Sequence, residues 1–347
     1  MDANRRKLIK AFGLGLGFPW LSSAKASLKE QEFIELMQLP RAQWLQQQEL
    51  SRLCLGSCNL QGFDQSFWEN ILAQSPQIFL SLGDNIYGDT LRSKVLRRKY
   101  KELKNNLYYK KFSQSVPMYG TWDDHDYGWN NGDADYSLKY ESQQIFCDFL
   151  NENFNSKRRS RDGVYEAYQF NSGYNRIKLI MLDTRFNKNE SDVLGERQWQ
   201  WFEEQLRNSN AQVHLIATSI PILANPMNIA EDWVDHPKSY QRMFDLLGTY
   251  RPAGCVFLSG DKHFAGIFER RVQGHNYIEL MSSGLTHSVP RIFRPVVRGV
   301  FKGERIFLDK NFGQINFNFE DRKMQLQVKS IEGNTELEQL WPIGEFF

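Results

Sequence analysis

Three short apolar runs in this chain, residues 77–82, 116–121 and 255–258, each end at a polar cluster. The runs are hydrophobic and lack helical spacing, so they predict strands buried on both faces. The clusters that follow are Gly83-Asp84-Asn85-Ile86-Tyr87, Trp122-Asp123-Asp124-His125-Asp126 and Ser259-Gly260-Asp261-Lys262-His263. Carboxylates, histidines and a phenol would then gather along one rim of a sheet, where open α/β folds place their chemistry.

The rest of the pattern supplies the layers. A strand at about 51–57 precedes a helix at about 64–74, and a basic amphipathic helix at about 91–112 separates the second and third strands. A helix at about 137–152 leads to a strand pair at about 164–171 and 176–183, turned by Asn171-Ser172-Gly173-Tyr174-Asn175. Residues 195–206 predict a helix with Trp199 and Phe202 on one face. Strand 213–218, helix 239–247 and strands at about 264–270 and 276–281 follow. Residues 314–319 and 324–328 alternate around Glu320-Asp321-Arg322-Lys323 as a hairpin does. Helices alternating with strands early, and paired strands late, predict an α/β fold of four layers, α/β/β/α, with a C-terminal β-hairpin.

Composition narrows this picture in three places. A length of 347 residues with 14% aromatics supports a sizeable core and excludes wholesale disorder. Residues 1–26 combine Arg5-Arg6-Lys7, a mildly apolar glycine-rich run and Ala24-Lys25-Ala26, which resembles a twin-arginine export signal with its cleavage site. Removing that segment, with five basic side chains and one acid, changes the net charge from +2 to about −2. The mature chain therefore has no global charge for nucleic acid or an anionic membrane, and the apolar run is too short to span a bilayer. The expected division is signal at 1–26, extension at 27–50, main domain at 51–330 and tail at 331–347.

Four cysteines, Cys54, Cys58, Cys147 and Cys255, are too few for a disulfide scaffold. Cys54 and Cys255 sit in apolar runs and read as core. Cys58 follows Gly56-Ser57 at the end of the first strand, where a structural or disulfide role and a ligand role are both open.

The polar clusters carry the chemistry. Asp84 can present both oxygens to a cation from a tight turn, and Tyr87 on the same loop suits a hard trivalent iron better than calcium or zinc. Three carboxylates around His125 repel one another unless a cation or hydrogen bonds compensate. His125 among them gains a tendency to hold a proton, as a donor to a leaving oxygen requires. Asp261 and His263, two apart along a strand end, would point the same way. His214, His236, His275 and His287 read as ordinary histidines, although His287 follows Ser282-Ser283-Gly284 and could reach the rim.

Together Gly56-Ser57-Cys58, Gly83-Asp84-x-Ile86-Tyr87, Trp122-Asp123-Asp124-His125-Asp126, Leu182-Asp183-x-Arg185 and Ser259-Gly260-Asp261-x-His263 resemble the alkaline phosphatase D (PhoD-like) family of calcineurin-like metallophosphoesterases. The resemblance implies a metallophosphoesterase sandwich with Cys58, Asp84 and Tyr87 around a ferric iron. Asp84 would bridge to a second divalent metal, with calcium expected, and Asp261 and His263 would complete the pair of sites. Asp124 would replace the asparagine ligand of the wider superfamily, while the choice among Asp123, Asp124 and Asn131 stays open. His125 would meet the substrate phosphate and Arg185 would clamp it, unless Arg185 pairs with Asp183. Thr218-Ser219-Ile220-Pro221 offers serine where the wider superfamily has histidine.

The expected activity is exported, metal-dependent hydrolysis of phosphate mono- or diesters by a metal-bound hydroxide, with His125 assisting the leaving alkoxide. Expected partners are small-molecule or lipid phosphate esters and the twin-arginine export machinery, with a periplasmic or extracellular location and no specific nucleic acid. One alternative is a phospholipase D-type enzyme with an apolar approach built by Ile292, Phe293, Val296, Val297 and Phe301. Another is a non-catalytic metal or phosphate binder.

Overall fold

The computed structural model describes residues 49–346 except 172 and 225–230, so the expected signal segment and nearly all of the extension lie outside the described residues. The three buried runs all form strands, the first two as parallel neighbours in one sheet and the third in the other. Strand β1 (Arg52–Gly56) pairs parallel with β2 (Ile78–Leu82), which pairs parallel with β3 (Met118–Thr121). Every residue of β2 is buried, as expected of a strand covered on both faces.

On the other side of β1 the sheet becomes antiparallel through β11 (Asn311–Asn318), β12 (Lys323–Ser330) and β13 (Thr335–Pro342). The predicted hairpin is β11 and β12. Residues 335–342, in the segment read as a tail, add a third strand whose polar, half-exposed edge carries little apolar alternation.

The second sheet has the order β10 (Arg305–Phe307), β8 (Ala265–Val272), β9 (His275–Ser282), β7 (Cys255–Ser259), β6 (Val213–Ala217), β5 (Ile177–Met181) and β4 (Glu166–Phe170). Strands β5, β6, β7 and β9 run parallel.

Helices cover the outer face of each sheet. Against the first lie α1 (Phe67–Ala73), α2 (Ser93–Asn105), α3 (Leu107–Ser115) and, beyond the one-turn α4 (Asp124–Tyr127), α5 (Lys139–Phe149), joined by Trp68, Phe79, Leu103, Phe112 and Phe146. Against the second lie α6 (Glu196–Arg207) and α7 (Pro237–Tyr250), where Trp199, Phe202, Phe244 and Phe257 share a core. The four layers predicted from the alternation of helices and strands are therefore present. The single helix expected at 91–112 is broken at Asn106, whose backbone is extended and whose side chain accepts the N–H groups of Tyr108 and Tyr109. An asparagine cap starts a new helix here.

Candidate metal centre

The loops that leave β1, β2, β3 and β7 meet at one rim of the sandwich. Cys58, Asp84, Asp261 and His263 all adopt left-handed backbone conformations, with φ of 60°, 48°, 73° and 59°. Such conformations are disfavoured for side-chain-bearing residues and collect where a site dictates geometry. Asp261 and His263 thus lie in a loop past β7, which ends at Ser259, and not on an alternating strand end. Two glycines let the loops close. A Cβ on Gly83 would come within 2.5 Å of the Asp123 Cβ, and one on Gly260 within 2.3 Å of the Ser57 Oγ.

Hydrogen bonds fix the loops to one another. Asn59 N–H donates to the Asp84 carbonyl at 2.8 Å, and Gly88 N–H to the His125 carbonyl at 2.8 Å. Asp126 accepts from Asp123 N–H at 2.6 Å and from Asn85 N–H at 2.9 Å. This carboxylate closes the capping box of α4 and ties the β2 and β3 loops together, so it is spent on architecture.

Three groups of ligand atoms, each within 4.8 Å of one another, run along the rim: Cys58, Asp84 and His263; Asp84, Asp124 and His125; Asp123, Asp124 and Asp261. Asp84 and Asp124 each belong to two groups, as residues between neighbouring cations should. The Cys58 Sγ lies 3.3 Å from Asp84 Oδ2 and 3.0 Å from Ser283 Oγ. Tyr87 Oη lies 3.1 Å from His263 Nε2. Of the three residues open for the second cation, Asp124 and Asp123 point into the cluster, while exposed Asn131 gives its N–H to Asp124 Oδ2 at 2.5 Å.

The donor set fits a metal pair. Asp84 Oδ1 and Asp123 Oδ2 are buried and have no hydrogen-bond partner among the described residues. Burial of unpaired carboxylate oxygens is costly, and a cation removes the cost. Burial, then the nearby Cys58 and Asp124, pushes Asp84 well above the carboxylate range. Burial raises Asp123 to about 8, with Arg185 opposing it, and also raises Asp261. Against its own burial, Asp124 is held below the ordinary range by Arg185 and His125. Burial moves the Cys58 thiol up to about 11, opposed by the Ser283 hydroxyl.

His125 Nδ1 is 2.7 Å from Asp89 Oδ1, and its ring lies 4.2 Å from that of Tyr87. Burial works against its charged form, but the Asp89 hydrogen bond and Asp124 prevail and raise its pKa.

Arg185, expected to clamp phosphate, is fully buried beneath the rim. Its Nε lies 2.5 Å from Asp123 Oδ1, its Nη1 2.5 Å from Glu231 Oε2, and its Nη2 3.9 Å from Asp124 Oδ1. Asp183 is not its partner by side chain, since its oxygens accept the backbone N–H groups of Val164, Arg185 and Phe186. Ser219, at the superfamily's histidine position, donates to Asp123 Oδ1 at 2.7 Å and so helps Arg185 to hold that carboxylate.

The partners of these side chains carry a weaker signal in the sequence than the side chains themselves. His287 does reach the rim, with Nε2 2.9 Å from Tyr87 Oη, and the Ser282-Ser283-Gly284 turn was its signal. Ser283 and Lys262, the latter 3.4 Å from Asp261 Oδ2, fall within motifs already singled out, whereas Asp89 and Glu231 had no signal beyond ordinary polar composition.

Residues 53–292 match the PhoD-like phosphatase family. No curated protein matches the sequence. Among solved structures, PhoD superposes with a TM-score of 0.69 at 14% identity, covering 84% of this chain and 69% of that one. A dimetal phosphatase from Danio rerio gives 0.54 at 13% identity, over 85% of this chain and 99% of that one. A purple acid phosphatase from yellow lupin (Lupinus luteus) gives 0.55 at 13%, over 85% and 54%. At such identities the likeness is one of fold.

Proposed function

The chain belongs to the PhoD-like phosphatase family of metal-dependent hydrolases of phosphoric esters, and from that premise we propose an exported enzyme that cleaves phosphate mono- and diesters. The observation that carries this reading is the row of ligand groups sharing Asp84 and Asp124, in which Asp84 and Asp123 each keep a buried oxygen with no hydrogen-bond partner among the described residues. Cys58, Asp84, Tyr87 and His263 would hold one ion, for which thiolate, phenolate and imidazole favour ferric iron. Asp84, Asp124 and Asp261, with Asp123 beside them, would hold the second, for which an all-oxygen set favours calcium. When bound, such a pair supplies a nucleophile from water near neutral pH and neutralises charge on the phosphoryl oxygens.

The chain's own residues do the remaining work. His125, oriented through Nδ1 by Asp89, donates a proton to the leaving oxygen. Arg185 and Ser219 fix Asp123, and Arg185 offsets the negative charge of Asp123 and Glu231 from below. The paired arginines and A-x-A pattern of residues 1–26 support export through the twin-arginine route to the periplasm or beyond.

The test is p-nitrophenolate release from p-nitrophenyl phosphate and from bis-p-nitrophenyl phosphate, before and after chelation and after return of iron with calcium. Loss on chelation and recovery only with both metals is expected. Full turnover by verified metal-free protein would sink the reading.

A lipid phosphodiester is the second reading, favoured by the exposed Ile292, Phe293 and Val296. Phe301, grouped with them on sequence, is buried, and Val297 packs against the core, so neither lines an approach.

A further inference from the structure

Helix α8 (Arg294–Val300) and the turn before it carry apolar side chains on two sides. Val297, Val300 and the following Phe301 face the core, where the Phe301 ring lies 5.0 Å from Phe264 and 5.9 Å from Phe268. Ile292, Phe293 and Val296 face outward and are 79%, 58% and 59% exposed. Side chains of this kind, grouped on a surface, mark a binding face.

The neighbouring charges indicate what binds. Residues 288–303 contain Arg291, Arg294, Arg298 and Lys302 and no acidic side chain. Arg294 is engaged by Asp309 at 2.5 Å, whereas Arg291, Arg298 and Lys302 enter no ion pair among the described residues. Apolar side chains ringed by unpaired basic ones complement an anionic lipid surface, where the first enter the headgroup boundary and the second meet phosphates.

The patch is tied to the candidate site. Val289 N–H donates to the His263 carbonyl at 2.9 Å, and Arg294 Nε to the Val289 carbonyl at 3.2 Å. Phe63, 52% exposed, places its ring 6.3 Å from that of His287 at the rim.

We propose that α8 and its preceding turn dock this protein on an anionic lipid surface through Ile292, Phe293 and Val296, with Arg291, Arg298 and Lys302 at the phosphates. Docking stands apart from the metal reading; only delivery of lipid phosphates to the site rests on it.

The experiment is flotation of the full mature protein with phosphatidylcholine vesicles containing or lacking phosphatidylglycerol, at low and high salt. Binding to the anionic vesicles alone, weakened by salt, is expected. Ile292→Ser with Phe293→Ser and Val296→Ser should lower partitioning about tenfold or more. Arg291→Gln with Arg298→Gln and Lys302→Gln should lower it about a hundredfold. Hydrolysis of a soluble ester, unchanged in both triple variants, shows that each is folded and that failed docking leaves the phosphoesterase reading intact. Equal binding by the variants overturns the proposal, as does no binding by the parent. So does a dimer in sedimentation that the serine variant dissociates, which would make a second copy the occupant.

Discussion

The Tyr87 phenol is held between two imidazoles, 2.9 Å from His287 Nε2 and 3.1 Å from His263 Nε2. The Thr286 hydroxyl donates to the Cys58 carbonyl at 3.0 Å, so its oxygen accepts from His287 Nδ1 at 3.0 Å. In neutral His287 the lone pair then sits on Nε2, facing the phenol. This places Thr286 and His287 behind two proposed ligands at once, Cys58 and Tyr87. Partners of this kind cost about 10- to 100-fold in metal affinity when removed. His287→Ala is expected to weaken metal retention by that factor in chelator competition, with His287→Gln less affected. An unchanged affinity would show that His287 does not support the site.

His125 is expected to matter in proportion to the leaving group. A donor to the leaving oxygen contributes about 10²- to 10⁴-fold. His125→Ala should therefore lose that much on alkyl phosphates and little on p-nitrophenyl phosphate, whose leaving group needs no proton. Metal content should be unchanged. Asp89→Asn, which keeps the ring but removes its carboxylate, should fall between the parent and His125→Ala on alkyl esters. Equal losses on both substrates in His125→Ala would assign His125 to binding instead.

Much of this candidate site was legible because its proposed ligands fall directly after buried strands. Asp84 follows a run whose residues are all buried in β2, and Cys58 follows β1 by two residues. What the sequence hid was direction and partnership. The Asp261 and His263 spacing suggested a strand end, yet both residues are left-handed, a feature that residue type does not announce. Arg185 looked like a substrate clamp because a guanidinium suits phosphate, and nothing local showed that Asp123 and Glu231, 62 and 46 residues away, would take its Nε and Nη1 and leave only Nη2 without a hydrogen-bond partner among the described residues. Strand β13 escaped because an exposed edge strand does not need apolar alternation.

Arg185 should prove more important to the metal-free protein than to the loaded one. Without cations, it is the buried charge that holds the Asp124 and Glu231 carboxyls below their ordinary range against their burial, and it binds Asp123 at 2.5 Å, where Ser219 adds only a neutral donor. Breaking a buried pair by removing one partner costs about 3–5 kcal/mol. Arg185→Met is expected to destabilise the metal-free protein by about that amount in urea unfolding, and the loaded protein by less. Arg185→Lys should restore little, because one ammonium cannot span Asp123 and Glu231 as the fork does. A variant with unchanged metal-free stability and a raised KM would return Arg185 to the role of substrate clamp.

His214 supplies an acid-sensitive component of stability away from the metal centre. It sits buried on β6, with Nδ1 2.8 Å from the Ala253 carbonyl and Nε2 2.7 Å from Ser209 Oγ. Burial, partly opposed by the Ala253 hydrogen bond, lowers its pKa from 6.5 to about 4. The unfolded chain takes up the proton below 6.5 while the folded one resists until about 4. The contribution is therefore present above the unfolded value and is lost as pH falls through that window. At about 1.4 kcal/mol per pH unit, the loss is on the order of 3 kcal/mol. His214→Gln removes the titration and keeps a polar side chain. Urea unfolding of metal-free parent and variant between pH 7 and pH 4 should therefore show the parent losing stability more steeply, with the stability difference between them changing by about 3 kcal/mol in the variant's favour. Parallel curves would mean that His214 titrates normally in the folded protein, and its burial would then carry no acid sensitivity.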